Sequence, residues 1–308
     1  MEPLVSVIIP NYNHARFLNQ RIDSVLNQTY KNYEIIILYD KSKDNSIDVI
    51  KQFEGNERIT HIIINEENSG SPFKQWQKGF ELAKGELIWI AESDDACENT
   101  LLEVLVNEFL SDSKCVVAFC KSIMINSNGF KIGERGMEND FHMDGLSFFN
   151  KYLYKHCYIA NASSAIFKKE VLKQIDLEFT KFKGCGDWVF WIEVSRCGMV
   201  AYNNNPLNYY RIHESNTTAQ ELSSGNNETE VLAVYHYMQE KKYISFIKMF
   251  RQRIAHIFSI RYGKLHGLFN SEKEKELLRE WKEDTLIRII SFSIYLFQKL
   301  FGYKIIRR

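Results

Sequence analysis

The chain has 308 residues, 45% of them hydrophobic and 14% aromatic, enough for one large domain with an appendage or two modest domains and too apolar for global disorder. Lys plus Arg and Asp plus Glu both number 39, so a zero net charge excludes any general attraction to nucleic acid. The balance is uneven along the chain: residues 241–308 hold 16 basic against 6 acidic side chains, net +10, which leaves residues 1–240 at net −10.

Val5–Ile9 is a β-branched run ending at Pro10, the pattern of a buried strand that stops at a loop. Helical spacing follows over Ala15–Leu26, then a second strand at Glu34–Leu38 and a second helix over Asn45–Phe53, capped near Asp44. A third strand at Ile59–Ile64, a third helix at Pro72–Ala83 and a fourth strand at Leu87–Ala91 continue the alternation. Thr100–Leu110 reads as a helix and Cys115–Cys120 as a strand. Strands alternating with helices of this length predict an α/β fold with a mostly parallel, doubly wound sheet. Residues 122–185 are loop-rich and aromatic, suited to binding an acceptor, and Ser223–Asn227 reads as a linker. The predicted division is therefore a catalytic domain over 1–222, in halves 1–121 and 122–222, followed by a helical region over 228–308.

The six cysteines show no C-x-x-C pair, so they read as reduced thiols rather than zinc ligands or a disulfide framework. The N-terminus lacks the features of a signal peptide, and no run of about 18 apolar residues suggests a spanning helix. A cytoplasmic protein is the expectation, peripheral at the inner face of a membrane if the basic tail meets lipid. Leu286–Ile306 is apolar but broken by basic residues. It suits either an anionic membrane surface or packing on this chain or a second copy, as in a homo-oligomer.

In an open parallel sheet, ligands sit beyond the carboxyl ends of the strands. Three such ends carry polar residues: Pro10-Asn11-Tyr12-Asn13, Asp40, and Glu92-Ser93-Asp94-Asp95. An Asp after a strand is often only a turn or a cap. Three acids within four positions repel one another, however, and a cation offsets that. Carboxylates without Cys or His in the same motif point to a hard divalent ion, Mg²⁺ or Mn²⁺.

These segments resemble the family-2 glycosyltransferases, inverting enzymes of the GT-A fold that build bacterial surface glycans. The resemblance rests on Val5-Ser6-Val7-Ile8-Ile9-Pro10-Asn11-Tyr12-Asn13, Ser24-Val25-Leu26-Asn27-Gln28-Thr29-Tyr30, Glu34 to Ser42, Ala83-Lys84-Gly85-Glu86 and the acidic cluster, spread over residues 5–110. It implies a UDP-sugar donor, with Pro10, Tyr12 and Asp40 lining the base pocket and Asp40 accepting from a uracil-type ring N–H. Glu92-Ser93-Asp94 matches the DxD motif: Asp94 as the metal-binding carboxylate, Glu92 and Ser93 near the ribose or metal, Asp95 supporting either. Tyr39 and Glu92 depart from the family pattern, each standing where an Asp is common.

Gly184 to Trp191 resembles the segment that carries the catalytic base at a helix start, which puts Asp187 in that role and leaves Gly186 where a Glu often stands. Taken alone, Asp187 could simply cap a helix over Trp188–Arg196. Tyr209-Tyr210-Arg211-Ile212-His213 resembles a loop that closes over the diphosphate, with Arg211 as a phosphate clamp and His213 as a metal or phosphate ligand. Asn161-Ala162-Ser163-Ser164 resembles an acceptor-side loop. The implied acceptor is a glycan or lipid-linked saccharide. Two alternatives remain at the level of sequence: a catalytically degenerate sugar-nucleotide-binding protein, and a nucleotidyltransferase. The second would want a glycine-rich phosphate loop, and Asn11 to Arg16 contains no glycine.

Overall fold

β1 (Val5–Asn11) is buried at every position, as expected of a strand covered on both faces. Val5, Val7 and Ile9 share a core with Leu18, Ile22 and Val25 of α1 (Ala15–Leu26). Ile8 faces the other way, against α3 (Pro72–Leu82): a Cβ on Gly79 would stand 2.5 Å from its Cγ2, so a glycine is what allows this close approach. The strand also runs on through Pro10, past the stop that the sequence suggests. The Ile8 carbonyl accepts from the Ala91 N–H, so even-numbered positions turn towards β4 (Leu87–Ile90). That ladder ends at Ile90, and the N–H that Pro10 lacks falls beyond it.

The computed structural model describes residues 2–159, 161–214, 226–265, 270–282, 285–290 and 292–293. The chain divides into two units, one of Met1–Lys181 with Gly186–His213 and one of Phe182–Cys185 with Glu214–Arg308.

The first unit holds a single mixed sheet. β2 (Tyr33–Tyr39), α2 (Ser46–Lys51), β3 (Ile59–Ile64) and β4 complete a parallel half, in the order β3-β2-β1-β4. β5 (Ala96–Cys97), α4 (Leu101–Ser111), β6 (Cys115–Asn126), β7 (Lys131–Arg135), β8 (Phe141–Asp144) and α5 (Gly145–Phe148) follow. Next come β9 (Ala165–Lys168), α6 (Gly186–Ser195) and β10 (Met199–Ile212). The sheet continues β4-β9-β6-β10-β5, with β9 antiparallel to both neighbours and β10 parallel to β6. Two expectations change here. β6 extends six residues past Cys120, and Tyr209–Ile212, read as loop, is the end of a long strand paired with Ile123–Asn126. A partner strand decides this, because a buried edge must satisfy its backbone groups wherever the sequence pattern weakens.

An aromatic layer lies between α3 and α6. Trp76, Phe80, Phe167, Phe179 and Phe190 place their ring centroids 5.1–6.4 Å apart, the spacing of edge-to-face and offset pairs.

The second unit is helical: α7 (Asn226–Glu240), α8 (Phe246–Leu265) and α9 (Ser271–Glu280). Asn270 caps α9 by accepting from the N–H groups of Glu272 and Lys273. His256 bonds Glu228 at 2.8 Å and stacks on Trp281 at 4.5 Å. Glu230 accepts from the N–H groups of Lys183, Gly184 and Cys185, which ties that short segment to α7. Most of the predicted linker, and the part of Leu286–Ile306 from Ile294 onward, lie outside the described residues. Among the described residues no helix is long and apolar enough to cross a membrane.

Candidate active site

The loops after β1 and β2 brace each other. Asn13 adopts φ +58°, a left-handed conformation that Asn tolerates better than most residues. Its N–H donates to Ser42 Oγ and its Oδ1 accepts from the Lys43 N–H. Asp44 accepts from Ala15 N–H at the start of α1 and from Ser46 N–H at the start of α2, so the cap read near Asp44 serves two helices. Tyr12 stands exposed beside this brace and Pro10 is buried at the strand end.

Asp40, expected to accept from a base ring N–H, is held in a dense hydrogen-bond network. Its carboxylate, 4% exposed, accepts from Asn65 Nδ2 (2.6 Å), Ser69 N–H (2.9 Å), Ser69 Oγ (2.7 Å), Asn68 Nδ2 (3.1 Å) and Gln75 Nε2 (3.1 Å). These contacts engage both carboxylate oxygens, with the Ser69 hydroxyl shared between Asp40 and the Ser71 carbonyl at 3.1 Å. Asp40 organises the 65–75 loop. Asp40→Asn would turn an amide N–H₂ towards these donors and should cost about 2–4 kcal/mol of stability, read as a lower thermal midpoint. Unchanged stability with weakened UDP binding would favour the base-reading role.

The acidic motif occupies the turn after β4. Glu92 receives the Trp76 indole N–H at 2.9 Å, its own N–H donates to Ser163 Oγ, and its carbonyl accepts from Arg21 Nε. Asp95 turns inward and accepts from Ser163 Oγ (2.7 Å), Arg211 N–H (2.9 Å) and Asn161 Nδ2, with Arg21 Nη2 at 3.9 Å. Asp94 faces two imidazoles: His213 Nε2 lies 3.0 Å from its Oδ2 and His14 Nε2 lies 3.9 Å away, while His14 Nδ1 meets Ser93 Oγ at 2.9 Å. One ligand atom from each of His14, Asp94 and His213 falls within 4.8 Å of the others.

Protonation separates the three acids. Burial, reinforced by the Asp94 charge, pushes Glu92 up to about 8 against the Trp76 bond. Burial and the same charge lift Asp95 to about 7 against Arg21 and the Arg211 N–H. At Asp94 burial also pushes upward, but the His213 hydrogen bond and the electrostatic influence of His14 and His213 outweigh it and hold the carboxyl below its usual range. Asp94 is therefore the carboxylate that carries charge near neutral pH. The crowding that suggested a cation is partly relieved by the raised pKa of Glu92 and Asp95 and by buried Arg21 and Arg211.

Arg211 is 2% exposed, and its guanidinium bonds the Asp94 carbonyl (2.6 Å), the Asn126 carbonyl (3.2 Å) and Gln20 Oε1 (2.6 Å). That geometry braces the acidic turn, where the sequence suggested a phosphate clamp. Asn161 and Ser163, read as an acceptor-side loop, likewise support Asp95 from a buried 3₁₀ turn.

Asp187 lies in the first turn of α6, its Oδ1 accepting from Trp188 N–H at 2.7 Å. Burial lifts it to about 6, against that bond and the Arg135 charge. Gly186 explains its departure from the family: a Cβ there would stand 2.5 Å from both the Phe179 carbonyl and Phe73 Cε2. Helix α6 reaches the acidic motif through Trp76, whose ring meets Phe190 at 5.8 Å while its N–H holds Glu92.

Sequence reasoning missed His14, Arg21 and Trp76. His14 had a signal, since it directly follows the polar end of β1. Arg21 and Trp76 sit within amphipathic helices, where nothing local marks them.

The model of glycosyl transferase family 2 matches residues 6–176, over half of the chain. The chain belongs to that family, and it is a glycosyltransferase with the GT-A fold. TuaG of Bacillus subtilis, named a putative teichuronic acid biosynthesis glycosyltransferase, is 33% identical over 128 residues, 42% of this chain and only 50% of that protein. TarP of Staphylococcus aureus, a poly(ribitol-phosphate) β-N-acetylglucosaminyltransferase, is 27% identical over 90% of this chain and 85% of its own. Among solved structures, residues 1–349 of S. aureus TarS in complex with UDP-GlcNAc align with a TM-score of 0.60 at 14% identity, covering 98% of this chain and 93% of that one.

Proposed function

We propose that this glycosyltransferase moves a sugar from a UDP-sugar donor to a hydroxyl of a glycan or lipid-linked saccharide in one displacement with inversion. The observation that carries the donor side is the convergence of His14, Asp94 and His213 at the carboxyl ends of the strands. The UDP-GlcNAc complex of TarS, alike in fold, supports the choice of nucleotide.

One carboxylate oxygen and two imidazole nitrogens fit a divalent ion, and the nitrogens favour Mn²⁺ over Mg²⁺, which prefers oxygen. Burial, its largest influence, holds the His14 pKa below the usual value, which keeps a ligating imidazole neutral. A bound ion would supply positive charge to the leaving diphosphate. Arg211 and Arg21 hold the acidic turn in place, Ser93 orients His14, and Glu92, fixed by Trp76, faces the ribose. Pro10 and Tyr12 contact the base through shape and backbone.

Asp187 serves as general base: an acceptor hydroxyl is a poor nucleophile until a carboxylate takes its proton. We assign residues 1–121 to the donor and 122–222 to the acceptor, with His213 returning from the second half to Asp94. Screening UDP-sugars for thermal stabilisation with Mn²⁺ tests this reading. Stabilisation by no nucleotide, with or without metal, would remove the donor assignment.

The basic C-terminal region is proposed to meet anionic lipid. Its net +10 supports this, as do Phe246 and Ile247, 74% and 65% exposed at the start of α8. Full-length protein should co-sediment with phosphatidylglycerol liposomes at low salt, and a Phe246→Ser/Ile247→Ser variant should bind several-fold less. Indifference to these liposomes would leave packing or oligomer contact as the role of this surface.

A further inference from the structure

Beside Asp187 lies a wall that is basic and aromatic. The Trp188 indole N–H, one residue after Asp187, donates to the Leu153 carbonyl at 2.6 Å and pins the 149–158 segment to the start of α6. Arg135 pins the same segment further on, Nη2 donating to the Cys157 carbonyl at 3.2 Å. Around these ties His156 stacks on Tyr158 at 4.1 Å, and Tyr158 meets Tyr152 edge-on at 4.9 Å. Such ring faces suit the C–H faces of sugars and polyols.

The segment itself carries charge of one sign, and Glu134, next to Arg135, pairs with Lys131 and Lys121. From Gly145 to Ile159 the sequence contains no Asp or Glu but two lysines, Lys151 and Lys155. Lys151, Lys155 and Arg135 are exposed. Burial, with the charges of Arg135 and Lys155, drives the His156 pKa down to about 4, and the Arg135 charge also reaches Asp187. One guanidinium thus lies within electrostatic range of both the base and the ring platform. An uncharged acceptor gains nothing from such a field, whereas a polyanion gains affinity and steering.

We propose that the acceptor is an anionic saccharide or polyol chain bearing phosphate or carboxylate groups, held beside Asp187 by Arg135, Lys151 and Lys155 against the Tyr152–His156–Tyr158 rings. This rests on Asp187 marking the acceptor side.

The test compares fluorescent hexamers of three kinds, glycerol phosphate, galacturonate and neutral maltohexaose, titrated into full-length protein with UDP and Mn²⁺. One of the two anionic chains should bind at least about tenfold tighter than maltohexaose, with affinity falling as salt rises. Which anion binds tells phosphate from carboxylate. Lys151→Gln/Lys155→Gln should lose severalfold of that affinity at an unchanged thermal midpoint, and the triple variant that adds Arg135→Gln, which also removes the Cys157 tie, should lose about tenfold or more. Equal binding of the neutral hexamer, or a triple variant that binds like the parent, overturns the inference. UDP affinity of the parent is measured in parallel. UDP binding without anion preference sinks this inference alone, while absence of UDP binding removes the functional reading and this inference with it.

Discussion

Asp187→Asn is expected to lower transfer by roughly 10²–10⁴-fold, the usual worth of general-base help, with UDP affinity and thermal midpoint close to those of the parent. Asn keeps the size of the side chain and an oxygen to accept the Trp188 N–H, so a helix-capping role alone predicts no loss. The pH profile adds a second readout. Burial holds the parent carboxyl up at about 6, and a base works only when deprotonated. kcat/KM should therefore rise as pH rises through about 6 and level off above it, a limb absent from the residual activity of the variant. Parent-like turnover in Asp187→Asn would remove the base assignment.

The second large effect belongs to Asp94→Asn. This change deletes the one carboxylate held ionised between His14 and His213. Transfer should fall by roughly 10²–10³-fold, the scale of losing one preorganised electrostatic stabiliser. The tightening of UDP binding by Mn²⁺ should vanish with it. The fold should survive, because the amide oxygen still accepts from His213 and the neighbouring turn is held by Arg211 and Ser163. If UDP affinity responds to Mn²⁺ in the variant as in the parent, the ion is held elsewhere or not used.

These effects fall on opposite partners of the reaction, acceptor and donor. A combined titration therefore separates them: Asp187→Asn should still show Mn²⁺-dependent UDP binding, and Asp94→Asn should not.

The sequence by itself determined the type and order of the main strands and helices in the first 121 residues, though not the short strand Ala96–Cys97 or the full length of β1 and β6. Helix Ala15–Leu26 and strand Ile59–Ile64 agree with expectation at both ends. Apolar spacing is a local property, and it sets which face each element must bury. The positions of Asp40, the acidic motif and Asp187 at strand ends or a helix start were legible for the same reason. What each side chain does there was decided by residues far away in the chain. Asp40 looks free in sequence, yet donors 25 to 35 residues later engage its carboxylate. Arg211 reads as a phosphate clamp in sequence, and the fold buries it with its guanidinium on the Asp94 and Asn126 carbonyls. His14 gains its meaning only when the fold brings it to Asp94, 80 positions on, and to His213 at the far end of β10. Hydrogen-bond saturation, burial and the field of neighbouring charges are tertiary quantities, and they set which acid stays ionised and which polar group remains available to a ligand.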